Sequence, residues 1–537
     1  MPEVLVAGAG PVGLTLAIAL ARGGIRVRVV DKRAEPGRLP KMERCNARTM
    51  ENFRRLGLVD VIRAAGLDGD LPMDVFICLE NLTRPPLVHH EYPSVHRLKA
   101  AYRAVRDGSR PAEPYQLISQ YTLEPLLRAA VDALPGARVD FGHELTAFEQ
   151  DERGVTATIV RADGAAESVR AAYLVGCDGA SSTVRHALGI GLRGESMLEM
   201  RQALFVSDEL YARIPIGQGR HYHFADGLSS YLVVQDDTRR FSLNASGLPE
   251  AEMPALFERL VGFPVAYRTE YVGTWRQRLM VADRYRDRRV LLAGDAVHLM
   301  IPAGGLGMNT GHADAVDLAW KLTGMLRGWG GPGLLDAYEA ERRPVGIRNV
   351  GASRKATLGR LAWRSLWRPE ITEPGAAGEA VRLALAERAE REQRLSNDLL
   401  GIELGYRYLD SPIIAHDDGP APDPDCFAYE PTTAPGARLP HVWLDDGRPV
   451  QDILGAEYTM LRVGAEADFS ALAKAFARLG VPFRCRDVPS ADAAAVYGHP
   501  FVLLRPDLHV AWRGSAPPSD MDTADGLAGL VTGWKES

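Results

Sequence analysis

A chain of 537 residues is long for one domain and points to about two to four. Its 46% hydrophobic and 25% charged residues describe a globular protein with ample apolar material for a core. A formal charge of −6 without blocks of like charge argues against a nucleic-acid or anionic-membrane partner. The five scattered cysteines (Cys45, Cys78, Cys177, Cys426, Cys485) lack a CxxC, which argues against disulfides or zinc and fits a reducing cytoplasm.

Residues 4–21 (VLVAGAGPVGLTLAIALA) carry no charge. They lack the basic leader of a secretory signal, and their glycines interrupt the run too often for a membrane span. They read better as EVLVAG, a β-branched strand, then Gly8-x-Gly10-x-x-Gly13, then the helix LTLAIALARGG. A second strand, IRVRVVDKR, carries Asp31 about twenty residues past the glycines. Gly8 allows the tight turn, Gly10 lets a pyrophosphate reach the backbone, and Gly13 lets the helix close on the strand. The helix start offers unpaired N–H groups to the phosphates, and Asp31 is placed to accept from ribose hydroxyls. GWGGPG at 328–333 has the same glycine spacing, but it follows a helix and contains Pro332, so it reads as an inter-helix loop. The sequence therefore shows one dinucleotide fingerprint.

From about 190 to 280 the pattern changes to short alternating segments, MRQALFVSDEL, RHYHFADG, SSYLVVQD and RRFSLNAS, with a turn at Asp226-Gly227. This predicts an antiparallel sheet. Period-two alternation puts His221 and His223 on one face and Arg220, Tyr222 and Phe224 on the other. Tyr231 is a further aromatic candidate. Which face looks at a ligand is not decided by the pattern.

RRVLLAGDA predicts a strand with Asp295 at its C-terminal end, where open α/β sheets bind ligands. IPAGGLGMN then has few side chains over several positions, so a flat ring can lie on its backbone. Asn309 is expected to cap the helix TGHADAVDLAWKLTGML, whose positive end would face the ring. A reduced flavin carries negative charge at its N1–C2 carbonyl edge, and a helix start stabilises it without a side chain. Helices continue to about 405. Residues 406–438 read as a Pro/Asp-rich linker. A small α/β unit follows, with strands near YTMLRVG, PFRCRDV, PFVLLRPD and HVAWRG and the helix FSALAKAFARLG.

GAGPVG, the segment YLVGCDGASSTVR and GDAVHLMIPAGGLGMN, in this order, resemble the FAD-dependent aromatic hydroxylases. That family comprises single-component flavoprotein monooxygenases of the para-hydroxybenzoate, phenol and aromatic polyketide types. MERCNARTMENFRRLG is similar to the family's arginine-bearing helix beside the flavin (Arg44, Arg48), and SQYTLEPLL places Gln120 where the family has a glutamine near the ribityl chain. Ile301-Pro302 departs from a Pro-Pro pair found in many relatives, which alters a pocket wall.

The resemblance implies an α/β fold of three parts. A Rossmann-like, glutathione-reductase-type FAD domain takes residues 1–72, 106–190 and 281–405. An antiparallel-sheet substrate domain takes 73–105 and 191–280, and a thioredoxin-like domain without CxxC takes 439–537 after the 406–438 linker. Pro500, before a strand, is the candidate for that last fold's cis-proline, an isomer sequence does not show. A packing or homodimer role is expected of the domain.

For FAD the implied residues are Gly8, Gly10, Gly13, Asp31 and Arg33 at the adenosine end, and Asp178 with Arg185 in the segment tied to flavin and NAD(P)H. Arg44, Gln120 and Asp295 come next along the cofactor, with the backbone of Gly305, Leu306, Gly307, Met308 and Asn309 at the pyrimidine edge. Pro302, Tyr222, His223 and Arg44 are the candidates for the catalytic pocket, and His298 reads as a packed loop residue. The implied reaction is NAD(P)H-driven hydroxylation of a phenolic or polyketide-type ring by O2 through a flavin C4a-hydroperoxide. Baeyer–Villiger or epoxide chemistry on the same fold, or an uncoupled NAD(P)H oxidase, are the alternatives.

Overall fold

The computed structural model describes residues 1–425, 427–518 and 520–535. Cys426 lies outside them, and Cys45, Cys78, Cys177 and Cys485 are free thiols. The apolar run at 4–21 divides into the strand Val4–Ala7 and the helix Pro11–Arg22. Among the described residues no helix is long and apolar enough to cross a membrane.

Val4–Ala7 and Val27–Asp31 are buried on both faces, as a parallel strand between helices must be. They lie in a six-stranded sheet ordered Arg286–Asp287, Val290–Leu292, Tyr173–Gly176, Val4–Ala7, Val27–Asp31, Ala137–Phe141. Only the short Arg286–Asp287 edge is antiparallel. The loops carrying Gly8, Asp178 and Asp295 therefore leave one edge of this sheet, beside Asp31. A three-stranded antiparallel meander, His143–Asp151, Gly154–Arg161 and Ala166–Ala171, was not among the elements expected from sequence.

The second large sheet has eight strands, with the 15-residue strands Leu192–Val206 and Arg268–Ala282 paired antiparallel. Val75–Cys78 and Val88–His90 add to it, as expected, although Val75–Cys78 runs parallel to His221–Phe224. One face packs Phe76, Phe205, Tyr222, Phe224 and Phe241 against the helix Met253–Val261. The opposite edge strand is His298–Leu299. The chain thus leaves the first sheet at Leu292 and joins the second at His298, so Asp295 stands between the two sheets.

The C-terminal sheet is ordered Phe483–Asp487, Tyr458–Arg462, Phe501–Leu504, Val510–Gly514, with the first pair parallel and the rest antiparallel. With the helices Ser470–Arg478 and Met521–Val531 this is a thioredoxin-like arrangement. Pro500 is trans, since the described chain has no cis peptide bond. The expected 406–438 linker is packed at both ends, where Tyr406, Tyr408, Ile413, Ile414 and Arg438 are buried.

Arg505 joins this unit to the rest. Fully buried, it meets Glu341, Asp317 (3.2 Å) and Asp507 (2.5 Å), while Lys321 donates to Asp317 (2.6 Å) and Glu341 (2.5 Å). Asp317 and Glu341 lie on the helices Leu306–Arg327 and Gly333–Arg364. Burial pushes the Asp317 carboxyl up to about 7, with Glu341 and Asp507 adding to the rise against Lys321 and Arg505. Removing one member of such a cluster leaves its partners charged and dry, at a cost of about 3–5 kcal/mol. Arg505→Ala should lose about that much in a urea titration of the whole chain, with Arg505→Lys intermediate. A loss under about 1 kcal/mol would show that the cluster does not secure the domain.

Candidate functional site

The fingerprint is built by backbone contact. Gly8 has φ +105, and a Cβ there would sit 2.3 Å from the Cys177 carbonyl oxygen; a Cβ on Gly13 would sit 2.0 Å from that of Gly8. The strand, the helix start and the Cys177-Asp178 loop are therefore stacked with no room for side chains. Gly10 differs, because nothing lies within 4 Å of its Cβ position. Its side faces open space at the N-terminus of Pro11–Arg22, where no side chain caps the helix and Pro11 fills the first turn.

Asp31 is buried and accepts from Ala9 N (2.8 Å), Arg33 N (2.9 Å), Arg33 Nε (3.0 Å) and Arg33 Nη2 (2.9 Å). Burial pushes its carboxyl up, but the Arg33 fork and the Ala9 N–H hold it below the usual range. Those four bonds fill a carboxylate's acceptor sites. A ribose hydroxyl reaches Asp31 only if Arg33 swings aside toward Glu124, which it already meets at 3.3 Å. Gln120 Nε2 donates to Glu124 (2.6 Å). The structure thus brings Gln120 into the Asp31–Arg33 network.

Asp178 accepts from Val184 N (3.1 Å) through Oδ2, while its buried Oδ1 has no partner. Arg185 is spent on the carbonyls of Ala296 and Ala180 (both 3.1 Å). Asp295, in the turn Gly294–Ala296, is accessible to solvent although protein surrounds it. That surround raises its carboxyl against the pull of His298 and Lys41. His298 is fully buried and shares Asp314 with Arg342, at 2.8 Å each.

The expected cap at Asn309 is corrected. The helix starts four residues earlier, at Leu306, because Gly304 (φ +87) and Gly305 (φ +64) take the left-handed turn that leads into it. Asn309 is buried in the first turns. It accepts from Asn46 N (2.8 Å) and donates to the carbonyls of Arg44 (3.0 Å) and Gly305 (2.6 Å), pinning the helix start to the Arg44 segment. No side chain caps this helix, and Gly305, Gly307 and Met308 remain partly accessible. Arg44 donates to the Gly304 carbonyl (2.9 Å) and pairs with Glu403 (3.0 Å). Arg48 points elsewhere, donating to the Asp507 carbonyl (3.0 Å).

Beside Pro302, Gly304 and Gly305 lies a small cavity of about 20 Å³ whose lining also includes Glu43, Arg44, Arg220, His221, His223, Arg360 and Asn397. His221 and His223 share it, as alternation requires. Tyr222 is corrected. It points to the other side of the sheet, where it is fully buried, stacks on Phe76 and donates to the Gly217 carbonyl (2.9 Å). Arg220 lines the cavity with the histidines because it precedes the strand His221–Phe224, so the alternation does not extend to it.

Glu43 accepts from His221 Nε2 (2.7 Å). Burial pushes the Glu43 carboxyl up, but His221, Arg220 and Arg44 bring it down to about 2. Burial holds His221 below the usual histidine range in spite of Glu43, with Arg220 and Arg360 adding to the effect. At neutral pH the pair is a carboxylate and a neutral imidazole with its proton on Nε2. Burial, then Arg364 and His221, pushes His223 well below the usual range, and it faces Gln393 Nε2 (2.9 Å) and Arg364 Nη2 (3.3 Å). Sequence reasoning missed Glu43, Arg360, Asn397, Glu403 and Asp314. Glu43 stood beside Arg44 in a quoted motif, and Asp314 was legible as a carboxylate inside an apolar helix.

A glycine cradle, an uncapped helix start and a small cavity lined by titratable side chains define a dinucleotide enzyme that works on a small molecule. The FAD binding domain family matches residues 1–217 and 255–353, and the aromatic-ring hydroxylase C-terminal family matches 432–536. Aklavinone 12-hydroxylase RdmE of Streptomyces purpurascens is 32% identical, with 98% of each chain covered. The 4-methyl-5-nitrocatechol 5-monooxygenase of a Burkholderia species is 31% identical, covering 97% of this chain and 95% of its own. The structure of the rebeccamycin biosynthetic enzyme RebC with reduced flavin superposes with a TM-score of 0.89 at 32% identity, covering 99% of both chains. This chain belongs to the FAD-dependent aromatic-ring hydroxylases, and it is an FAD-dependent monooxygenase of aromatic compounds.

The residues present fit FAD. Gly10 leaves room at the helix start, Asp178 Oδ1 awaits a donor, and the uncapped start of Leu306–Arg327 offers N–H groups to an electron-rich edge. Gly10→Val should fold, since its Cβ meets nothing, but emerge without flavin absorbance. Gly13→Val should not fold, since its Cβ would strike the Gly8 carbonyl. A fully yellow Gly10→Val protein would refute the assignment of this glycine.

Proposed function

We propose that the protein is an NAD(P)H-consuming hydroxylase of a phenolic or polyketide-type ring, with bound FAD supplying hydride acceptance and, as its C4a-hydroperoxide, the electrophilic oxygen. The observation that carries this reading is the cavity that the ring bed (Pro302, Gly304, Gly305) shares with His221 and His223. In this reading Gly8, Gly10 and Gly13 admit the pyrophosphate, Asp31 takes the ribose once Arg33 yields, and Asp295 takes the ribityl chain. The backbone at 305–309 carries the pyrimidine edge, and Arg44, tied to Gly304 and Glu403, fixes that bed.

Glu43 fixes the His221 tautomer with Nε2–H donating, which leaves Nδ1 as the acceptor. Among the described residues no group donates to that nitrogen. His221 Nδ1 therefore takes the phenolic proton, making the ring electron-rich enough to attack oxygen, and Glu43 stabilises the imidazolium. His223 has no carboxylate beside it and serves as wall.

NAD(P)H oxidation in air, followed with and without a panel of phenols, tests the reaction. Phenols should accelerate the oxidation and yield a hydroxylated product. Conversion of ketones alone, or oxidation that no phenol accelerates, would overturn the reading. His221→Gln should lower kcat for simple phenols by about 100-fold while FAD content stays normal. A nitrophenol, already ionised at neutral pH, should lose far less. With the wild type, the acid-side fall of kcat/KM should lie below the usual histidine range, because burial holds the imidazole neutral. Equal losses for both phenols would remove His221 from proton transfer.

A further inference from the structure

Between Val95 and Arg110 the chain departs from its overall acidity. Arg97, Lys99, Arg103, Arg106 and Arg110 stand there against a single acid, Asp107, in a protein of formal charge −6. Ser94 caps the helix Val95–Ala104, accepting from Arg97 N (3.4 Å), and the loop to Arg110 follows. Arg97, Arg103, Arg106 and Arg110 are exposed, and among the described residues none of their side chains forms a hydrogen bond or an ion pair. Asp107 is turned to Ser109 N (2.9 Å). Arg103 lies over the Trp443 ring and Arg110 over the Tyr102 ring, each at 5.9 Å. Helical spacing sets Arg97 and Arg103 about 120° apart and ~9 Å along the axis, with the small, exposed Ala100 and Ala104 between them.

One cation in the last turn of a helix is favoured by the helix's own partial charge, but four unpaired guanidinium groups exceed what that requires. Their position also matters. Burial pushes the Tyr102 phenol up to about 12, with Arg110 opposing and Glu403 and Tyr115 adding to the rise, so this helix ends beside the residues that fix the ring bed. Arg44 lies over the Tyr115 ring (5.5 Å) and donates to the Gly304 carbonyl.

The reductant of the proposed reaction is a polyanion. NADH and NADPH both carry a diphosphate, and NADPH adds a 2′-phosphate of about −1.5 to −2 charge at pH 7. FAD takes the one dinucleotide fingerprint of the sequence, so the reductant's phosphates are met elsewhere. The arginines beside the cofactor loops are spent inside the protein. Arg33 is held by Asp31, Arg185 by the carbonyls of Ala296 and Ala180, and Arg44 by Gly304 and Glu403. Free guanidinium forks flanking a floor of alanines suit phosphate oxygens.

We propose that the helix Val95–Ala104 and the loop after it bind the reductant, and that the reductant is NADPH. Arg97, Arg103, Arg106 and Arg110 take its diphosphate and 2′-phosphate, and the nicotinamide end lies toward Tyr115 and the ring bed. This rests on the reading of the protein as an NAD(P)H-consuming hydroxylase. The hydride passes from the nicotinamide to FAD, and NADP⁺ leaves.

The test uses the full chain loaded with FAD. Without oxygen, and with a phenol present, bleaching of the flavin band is followed against the concentration of NADPH or NADH, which gives a Kd and a limiting rate for each. NADPH should bind about tenfold or more tightly than NADH, and less tightly as salt rises. Arg97→Gln with Arg106→Gln breaks no side-chain contact within the protein. The pair should raise the NADPH Kd about tenfold or more and flatten its salt dependence. Its FAD content, limiting rate and phenol-induced band shift should stay as in the wild type. Lysine at both positions should restore most of the binding. Equal affinity for NADH and NADPH overturns the proposal, as does an NADPH Kd that the glutamine pair leaves unchanged. A pair that weakens the phenol's band shift and spares NADPH also overturns it, by assigning the arginines to the substrate. Flavin that neither nucleotide bleaches removes the NAD(P)H-consuming reading itself, whereas bleaching untouched by the substitutions removes this site alone.

Discussion

The buried carboxylate of Asp314 is the constraint around which the site is assembled. From the helix Leu306–Arg327 it accepts from Gly294 N (3.1 Å), His298 Nε2 (2.8 Å) and Arg342 Nε (2.8 Å), with no solvent to replace any of them. Gly294 and His298 flank Asp295 where the chain passes from one sheet to the other. An ionised carboxylate in such a place tolerates no missing donor, so the helix and the crossing strand hold one relative position. Gly311 lets them close, since a Cβ there would lie 2.7 Å from Val12 and 2.8 Å from Gly294 Cα. The fingerprint, the Asp295 turn and the ring bed are thereby fixed against one another by one charge and a few absent side chains.

The ring bed has a second anchor on its other flank. Asn309 and Arg44 tie the start of the same helix to the segment before Ala47–Arg55, and Glu403 answers Arg44 from the far end of the helical region. Glu403 spends both oxygens there, on Arg44 and on Ala47 N (3.2 Å).

What was legible in the sequence was contiguous. Gly8, Gly10, Gly13 and Asp31 belong to one strand–helix–strand unit whose spacing carries its own physical reason. The helix after Gly305 was legible too, but its first residue was not. The glycine pair was read as loop where it is the left-handed entry to the helix, and this displaced Asn309 from interior pin to cap. Alternation pairs His221 with His223 and does not say which face is apolar core, so the pocket candidate Tyr222 falls in the core while Arg220, grouped with it by alternation, lines the cavity. Partners brought together only by folding, Arg44 with Glu403 across 359 positions or Arg220 with Asn397 across 177, leave no local trace.

The Arg505 junction has a consequence for how the enzyme is made. Val4–Ala7 needs Tyr173–Gly176 beside it, that strand needs Val290–Leu292, and the helices above them bury carboxylates whose guanidinium arrives only with Phe501–Leu504. At about 5–20 residues per second, a ribosome adds Arg505 roughly 25–100 s after Val4. For about the last third of that interval, once Glu341 has been made, a nascent chain already displaying its cofactor loops holds Glu341 without its main counter-charge, while Asp317 has Lys321 alone. Stable capture of the yellow cofactor is thus a late event in biosynthesis, and truncated chains are poor candidates to retain it.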